Sequence, residues 1–355
     1  MKRMNFLCLL VLGLCFAACH SNDDTWGDWS RSYSFVGWKR TSAVAFKLGE
    51  NVYVGLGSNK EMEKEEDRFM RDFWKFDGHA WTRVDSFPGL GRDGAVAFVV
   101  KKGGKELAYV GTGFREVGGN KQYFKDFYTF DGTNWEKANM AAFPGEPRRF
   151  GVAFSLNNKG YVGTGMADGS QPLGDMWCYD PDNNTWTDTK LNTTASYGAS
   201  VFVIESQKKA VLCLGTDGSQ YTREVRIFDG QNWTAAAPLV DKDGQGWDND
   251  YNRIPRAYAV AFTSSLDGGV EKGYIATGEG SYRQTCWEYD IIKDRWDEVT
   301  ELPNAMAPRS HAVGFSLNDY GYVVTGGSNF TTPGDIYCWK FTPGIDEDDD
   351  NDYGI

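Results

Sequence analysis

Six copies of one pattern lie end to end in this chain of 355 residues. The clearest copy runs from Arg148 to Trp186 and reads RRFGVAF, KGYVGTG, GDMWCYD and NNTW. An Arg opens it and a strand of small and apolar residues follows. A second apolar strand ends in Gly-Thr-Gly, and an aromatic strand leads through a turn to a Trp. The first strands read TSAVAF, DGAVAF, RFGVAF, YGASVF, AYAVAF and SHAVGF, with phenylalanines at Phe46, Phe98, Phe154, Phe202, Phe262 and Phe315. Four short strands in each repeat of ~50 residues describe one small sheet per repeat, which can bury its faces only against its neighbours.

The second strands read YVGLG, YVGTG, YVGTG, LCLGT, YIATG and YVVTGG. Glycine there permits a positive φ and a close backbone approach. In the third strands Trp74, Tyr128, Trp177, Arg226, Trp287 and Tyr337 take equivalent places, so Arg226 breaks an aromatic column. The fourth strands carry Trp81, Trp135, Trp186, Trp233 and Trp296, three of them after an Asp-Gly turn. This pattern resembles the Kelch repeat, whose paired glycines and spaced Tyr/Trp are present in degenerate form over residues 26–341. The resemblance implies an all-β, six-bladed Kelch-type β-propeller with four antiparallel strands per blade.

The sixth repeat lacks a Trp strand of its own. Trp29 lies as far before Ala43 as Trp81 lies before Ala95. The segment around Trp29 is therefore expected to complete the last blade and remove an open sheet edge.

Residues 1–18 form a basic then apolar secretion signal, too short to span a membrane. It ends Phe16-Ala17-Ala18-Cys19, which resembles a bacterial lipobox; this implies lipidation of Cys19, a polar tether over 19–25 and an outer-membrane lipoprotein facing the periplasm or the cell surface. Residues 342–355 are read as an acidic, solvated tail. Without residues 1–18 the chain carries 35 Lys and Arg against 49 Asp and Glu. Nucleic acid, which needs a basic footprint, is excluded as a partner, and membrane attachment rests on the lipid. A monomeric propeller is expected. Cys178, Cys213, Cys286 and Cys338 sit in apolar strands without metal-like spacing and read as buried free thiols.

Alternating strand direction puts the long insertions on one face: residues 58–70, 114–125 and the stretch between Trp233 and Ala259. Arg40, Arg92, Arg148, Arg256 and Arg309 open five first strands on that face, with Ser196 in the sixth place. A ring of guanidinium groups suits carboxylate or phosphate recognition; structural pairing with loop carbonyls and acids is the competing use of the same column. Arg149, Asp93, Tyr197, Tyr258 and His311 lie one or two places further in and can add specificity. Asp241, Asp243, Gln245 and Asn249 partly match a calcium loop, although Asn252 stands where that loop has a bidentate Glu. Ca²⁺ is the one cofactor considered, and none is required.

A copper oxidase similar to galactose oxidase is excluded, because His20, His79 and His311 cannot converge on one metal. No nucleophile–base pair, phosphate loop or zinc motif is present. The leading reading is a non-catalytic binding module for a glycan, a small anionic ligand or an envelope protein. Aromatics of the loops, Phe114, Tyr123, Phe124, Tyr221, Tyr282 and Phe330, are candidates to stack on sugar rings. The alternative is a sialic acid mutarotase or epimerase, in which Arg holds the carboxylate and Asp93 or Glu279 moves protons.

Overall fold

The computed structural model describes residues 26–241 and 250–346. Six four-stranded antiparallel sheets surround one axis. After β1 (Trp26–Arg31), blade one is β2 (Val44–Leu48), β3 (Asn51–Gly55), β4 (Phe73–Phe76) and β5 (Trp81–Val84). Blade two is β6 (Val96–Lys102), β7 (Lys105–Gly111), β10 (Phe127–Phe130) and β11 (Trp135–Lys137), with the hairpin β8 (Phe114–Val117) and β9 (Asn120–Tyr123) inserted on the loop-rich face. Blade three is β12 (Val152–Leu156), β13 (Lys159–Gly163), β16 (Met176–Asp180) and β17 (Thr185–Asp188), with a short insertion β14 (Met166–Ala167) and β15 (Gln171–Pro172). Blade four is β18 (Ser200–Ile204), β19 (Lys209–Cys213), β20 (Val225–Phe228) and β21 (Trp233–Ala235). Blade five is β22 (Val260–Ser264), β23 (Lys272–Ala276), β24 (Cys286–Asp290) and β25 (Arg295–Val299). Blade six is β26 (Val313–Leu317), β27 (Tyr320–Val324) and β28 (Trp339–Asp346), completed by β1.

The closure expected from Trp29 is present. β1 pairs antiparallel with β28, Trp29 opposite Phe341. The Trp29 ring is buried, lies tilted against Phe341 at 4.8 Å between centroids and meets Phe262 of blade five edge-on. Its Nε1 donates to the Thr300 carbonyl at 3.2 Å. Two details differ from the sequence reading. β28 runs on to Asp346, past Phe341. The aromatic in register with Trp74 is Trp339, not Tyr337: Trp339 faces Val323 as Trp74 faces Val54. Residues 334–338 are irregular and the column shifts by two residues there, with the Phe35 N–H donating to the Ile336 carbonyl.

Residue size follows from position. Along each innermost strand the residues facing the axis are small, Ala45, Ala97, Ala153, Val201, Ala261 and Gly314, because six backbones converge there. Alternate residues such as Phe46, Phe98 and Phe154 enter the seams between blades and are buried. The four expected free thiols, Cys178, Cys213, Cys286 and Cys338, are buried.

Two rings of backbone hydrogen bonds tie the blades together. In the first, the N–H of Gly57, Gly113, Gly165, Gly215, Gly278 and Gly326 each donates to the carbonyl of the residue that opens the next blade, at 2.7–2.9 Å. These glycines all have φ between 81° and 105°, which explains the glycine ending each second strand. In the second, Ser42, Gly94, Phe150, Gly198, Tyr258 and His311 donate N–H head to tail round the axis, each to the carbonyl of its counterpart in the preceding blade.

Candidate functional site

The arginine column closes blades and does not face the mouth. Arg40, Arg92, Arg148, Arg256 and Arg309 are at most 3% exposed. Each Nε donates to the carbonyl two residues earlier, and each Nη1 donates to the carbonyl of the residue just after the second strand. In four blades the remaining donors grip an Asp that precedes the third strand. The pairs are Arg40–Asp72 at 2.7 Å, Arg92–Asp126 at 2.5 Å, Arg148–Asp175 at 2.5 Å and Arg309–Asp335 at 2.9 Å. Arg256 has Thr285 in place of the acid and donates to its hydroxyl and to the Thr285 and Arg253 carbonyls. Burial without a carboxylate lowers its pKa to about 10. Blade four, with Ser196, keeps its acid locally: Glu224 accepts from Thr193, Thr194 and Arg226. The expected ring of ligand-facing guanidiniums is corrected accordingly, since these donors are spent inside each blade.

The next residues turn inward and build the mouth. Ser42, Phe150, Tyr258 and His311 all have φ of 54–57°, the left-handed region in which bulky residues are uncommon. The second backbone ring over-determines this conformation, so a cost on the order of 1 kcal/mol per residue is tolerated. Where the position is Ser or Gly nothing projects. Where it is Phe150, Tyr258 or His311 a ring enters the axis. Tyr258 and His311 stack at 3.7 Å between centroids, and Phe150 meets both edge-on at 5.1 and 5.3 Å. These three rings floor the mouth and line an axial cavity of about 130 Å³.

Above this floor stands Arg149, adjacent to a clamp arginine and unlike it in every respect. Its guanidinium lies over Phe150 at 4.6 Å and over Phe114 of the β8–β9 hairpin at 4.3 Å. Its one ion pair is long, 3.9 Å to Asp93 Oδ1, and its buried Nε has no hydrogen-bond partner. Asp93 is buried, accepts from the Ser58 hydroxyl at 2.9 Å and has Oδ1 unbonded. Burial raises its pKa, against the pull of Arg149 and Lys60. Lys60, over Phe69 at 3.8 Å, has its pKa lowered by burial. Tyr123 lines the same side, its hydroxyl raised by burial.

On the opposite side Glu279 accepts from the Ser310 hydroxyl at 3.2 Å and lies 3.5 Å from His311 Nδ1. Burial raises its carboxyl above the ordinary 4.5, opposed by Ser310 and Arg283. His311 is pushed down to about 3, first by burial and then by Arg149, so it is neutral at physiological pH. Its Nδ1 meets the Ser310 hydroxyl at 3.0 Å and its buried Nε2 has no partner. Burial also raises the Tyr258 hydroxyl, which keeps its proton. Tyr197 packs 6.3 Å from Tyr258 at the rim, and Phe330 meets His311.

Of the nine predicted ligand-contacting residues, the structure brings Arg149, Tyr197, Tyr258 and His311 together and puts the other five in the clamps. Lys60, Ser58, Phe150 and Ser310 were missed. Phe150 and Ser310 stand in the columns of Tyr258 and Arg149, where comparing the six copies finds them. Ser58 stands directly after the glycine of the first backbone ring, in the column of Phe114 and Glu279, where the same comparison finds it, whereas Lys60 lies further into the loop of blade one. Of the calcium-loop residues, Asp241 accepts from Asn252; Asp243, Gln245 and Asn249, like Cys19, lie outside the described residues. Among the described residues no cluster of His, Cys, Asp or Glu is arranged to hold a metal.

Six blades of four strands, with a match to the Kelch motif over residues 160–189, define this chain as a Kelch-type β-propeller. It is similar to an N-acetylneuraminate epimerase of Vibrio cholerae serotype O1, 23% identical over 344 residues that cover 80% of this chain and 84% of the relative. A solved structure titled "Structure of YjhT" has the same fold, with a TM-score of 0.64 and 19% identity over 85% of this chain and 95% of that one.

Proposed function

We propose that the axial mouth binds an acidic monosaccharide of the sialic acid class and catalyses exchange of its anomers. Arg149 carries the reading. It is a cation held rigidly by two aromatic faces, at the mouth of an acidic protein, with donors left over. A planar fork in that state matches a carboxylate. The likeness to a protein named N-acetylneuraminate epimerase supports the substrate class.

Anomer exchange needs no cofactor. A base takes the proton of the anomeric hydroxyl, the ring carbon–oxygen bond breaks, and the ring oxygen gains a proton. The open-chain ketone then recloses on its other face. Glu279 is the group for this proton traffic, because its raised pKa brings acid and base forms closer to balance near neutrality. Neutral His311 and Tyr258 supply the floor and hydrogen bonds to sugar hydroxyls.

The competing reading, a non-catalytic binding module, shares the Arg149 anchor and differs only at Glu279. Nuclear magnetic resonance exchange spectroscopy on N-acetylneuraminic acid separates them. Anomer exchange faster than the spontaneous rate, abolished in Glu279→Gln, supports the enzyme. Saturable binding with no acceleration leaves the binding module, and neither result removes the sugar from consideration.

A further inference from the structure

The face opposite the mouth carries one group of the exposed apolar side chains; others, Val36, Trp38 and Leu90 among them, lie in loops on the mouth side. β1 starts there, with Trp26 paired to Asp346 at the end of β28. Trp26 is 51% exposed and Ile345, beside Asp346, is 45% exposed. The end of β28 lies against the turn of blade five between β22 and β23: a Cβ on Gly344 would come within 2.8 Å of the Asp267 Cα. That turn exposes Leu266 and Val270, and the other turn of the same blade exposes Ile292 at 68%. The five residues therefore gather at blades five and six, round the point where the described chain begins.

We infer that this face rests on a lipid bilayer, brought there by a lipid on Cys19. Seven steps of chain separate Cys19 from Trp26, a reach of at most ~25 Å when fully extended. A propeller tethered that closely must present some surface to the membrane, and the surface nearest the tether carries Trp26, Ile345, Leu266, Val270 and Ile292. Trp and aliphatic side chains are at home in the headgroup region. The same turns mix acids and bases, Asp267 and Glu271 with Lys272, and Asp290 and Asp294 with Lys293 and Arg295. The acidic residues 346–350 continue directly from Ile345, so the contact is with neutral, zwitterionic headgroups and gains nothing from anionic lipid. Its consequence is orientation: the Arg149 mouth, on the opposite face, opens away from the bilayer. The inference rests on the lipobox and is independent of the sugar chemistry proposed above.

The test uses the full chain, made with its lipid and reconstituted in vesicles of phosphatidylethanolamine and phosphatidylcholine. One environment-sensitive dye is placed at Lys293→Cys on the apolar face, another at Lys121→Cys on the mouth-side hairpin. Labelling is selective because the four cysteines in the propeller are buried. Lipid-borne quenchers should reduce emission several-fold more at 293 than at 121. Leu266→Asp with Ile345→Asp should bring the two to equality while flotation with vesicles is retained. Equal quenching in the parent protein overturns the inference and leaves the patch to a protein partner. Failure of the parent to float, or flotation unchanged by Cys19→Ser, overturns it at the tether. Sugar binding in solution is read separately and is unaffected by either outcome.

Discussion

Arg148 and Arg149 are neighbours in sequence and belong to two different regions of the molecule. Arg148 lies in the clamp layer, fully buried, and is saturated by the Glu146 and Thr164 carbonyls and by Asp175. Arg149 lies in the mouth, with a 3.9 Å ion pair, two aromatic faces and an unbonded Nε. Clamp arginines recur because every blade must tie its first strand to its third. The mouth residues in the next column are Thr41, Asp93, Arg149, Tyr197, Ala257 and Ser310. They differ from blade to blade, as the proposed function requires of six positions that meet one asymmetric ligand. In a repeat protein of this kind, repetition marks scaffold and its failure marks the site.

The comparison breaks most visibly in stability. Arg148→Ala removes a fully buried guanidinium and its bonds to the Glu146 and Thr164 carbonyls and to the partly exposed Asp175, which should cost about 3 kcal/mol in urea unfolding. Arg149→Ala should cost less than about 1 kcal/mol, yet weaken binding of N-acetylneuraminic acid about 10- to 100-fold, the worth of hydrogen bonds to a charged group. Equal destabilisation by the two variants would erase the distinction between layers.

His311 sharpens it through pH. Its folded pKa, about 3, lies below the ordinary 6.5. Below pH 6.5 the unfolded chain takes up a proton that the folded chain refuses, so this residue's contribution to stability is lost as pH falls from 6.5 towards 3. The slope approaches about 1.4 kcal/mol per pH unit. His311→Phe should flatten the profile of unfolding free energy over that window and leave stability above pH 7 nearly unchanged. The remaining effect is kinetic and leaves stability and affinity nearly unchanged. The anomer-exchange rate of the parent should titrate with an inflection above pH 4.5, following the raised Glu279 carboxyl. Glu279→Gln should abolish that inflection with affinity changed less than about threefold, as for a group acting in the transition state rather than in binding.

The fold was legible because its signals are periodic. Phe46 through Phe315 give the repeat, and the spacing of Trp29 to Ala43 identifies the strand that closes the ring. The arginine column was equally visible, but a column gives position and not direction. Its destination was also written in the chain. The third strands of the Arg40, Arg92, Arg148 and Arg309 blades are preceded by Asp72, Asp126, Asp175 and Asp335, whereas the Arg256 blade has Thr285 and the Ser196 blade has Glu224 beside Arg226. Reading the two columns together assigns the pairs. Ser58 was legible by the same comparison, since it shares a column with Phe114 and Glu279; Lys60 was not, because it lies in a loop whose length and sequence differ from blade to blade. The left-handed φ of Phe150, Tyr258 and His311 was hidden as well. It is imposed by the backbone ring and not by any preference of those residues.

The most direct test is a calorimetric titration of N-acetylneuraminic acid into the parent propeller and into Arg149→Ala, both confirmed as folded by their melting curves. The account predicts saturable binding to the parent and a loss of at least about tenfold in the variant. Equal affinity in the two proteins would contradict it.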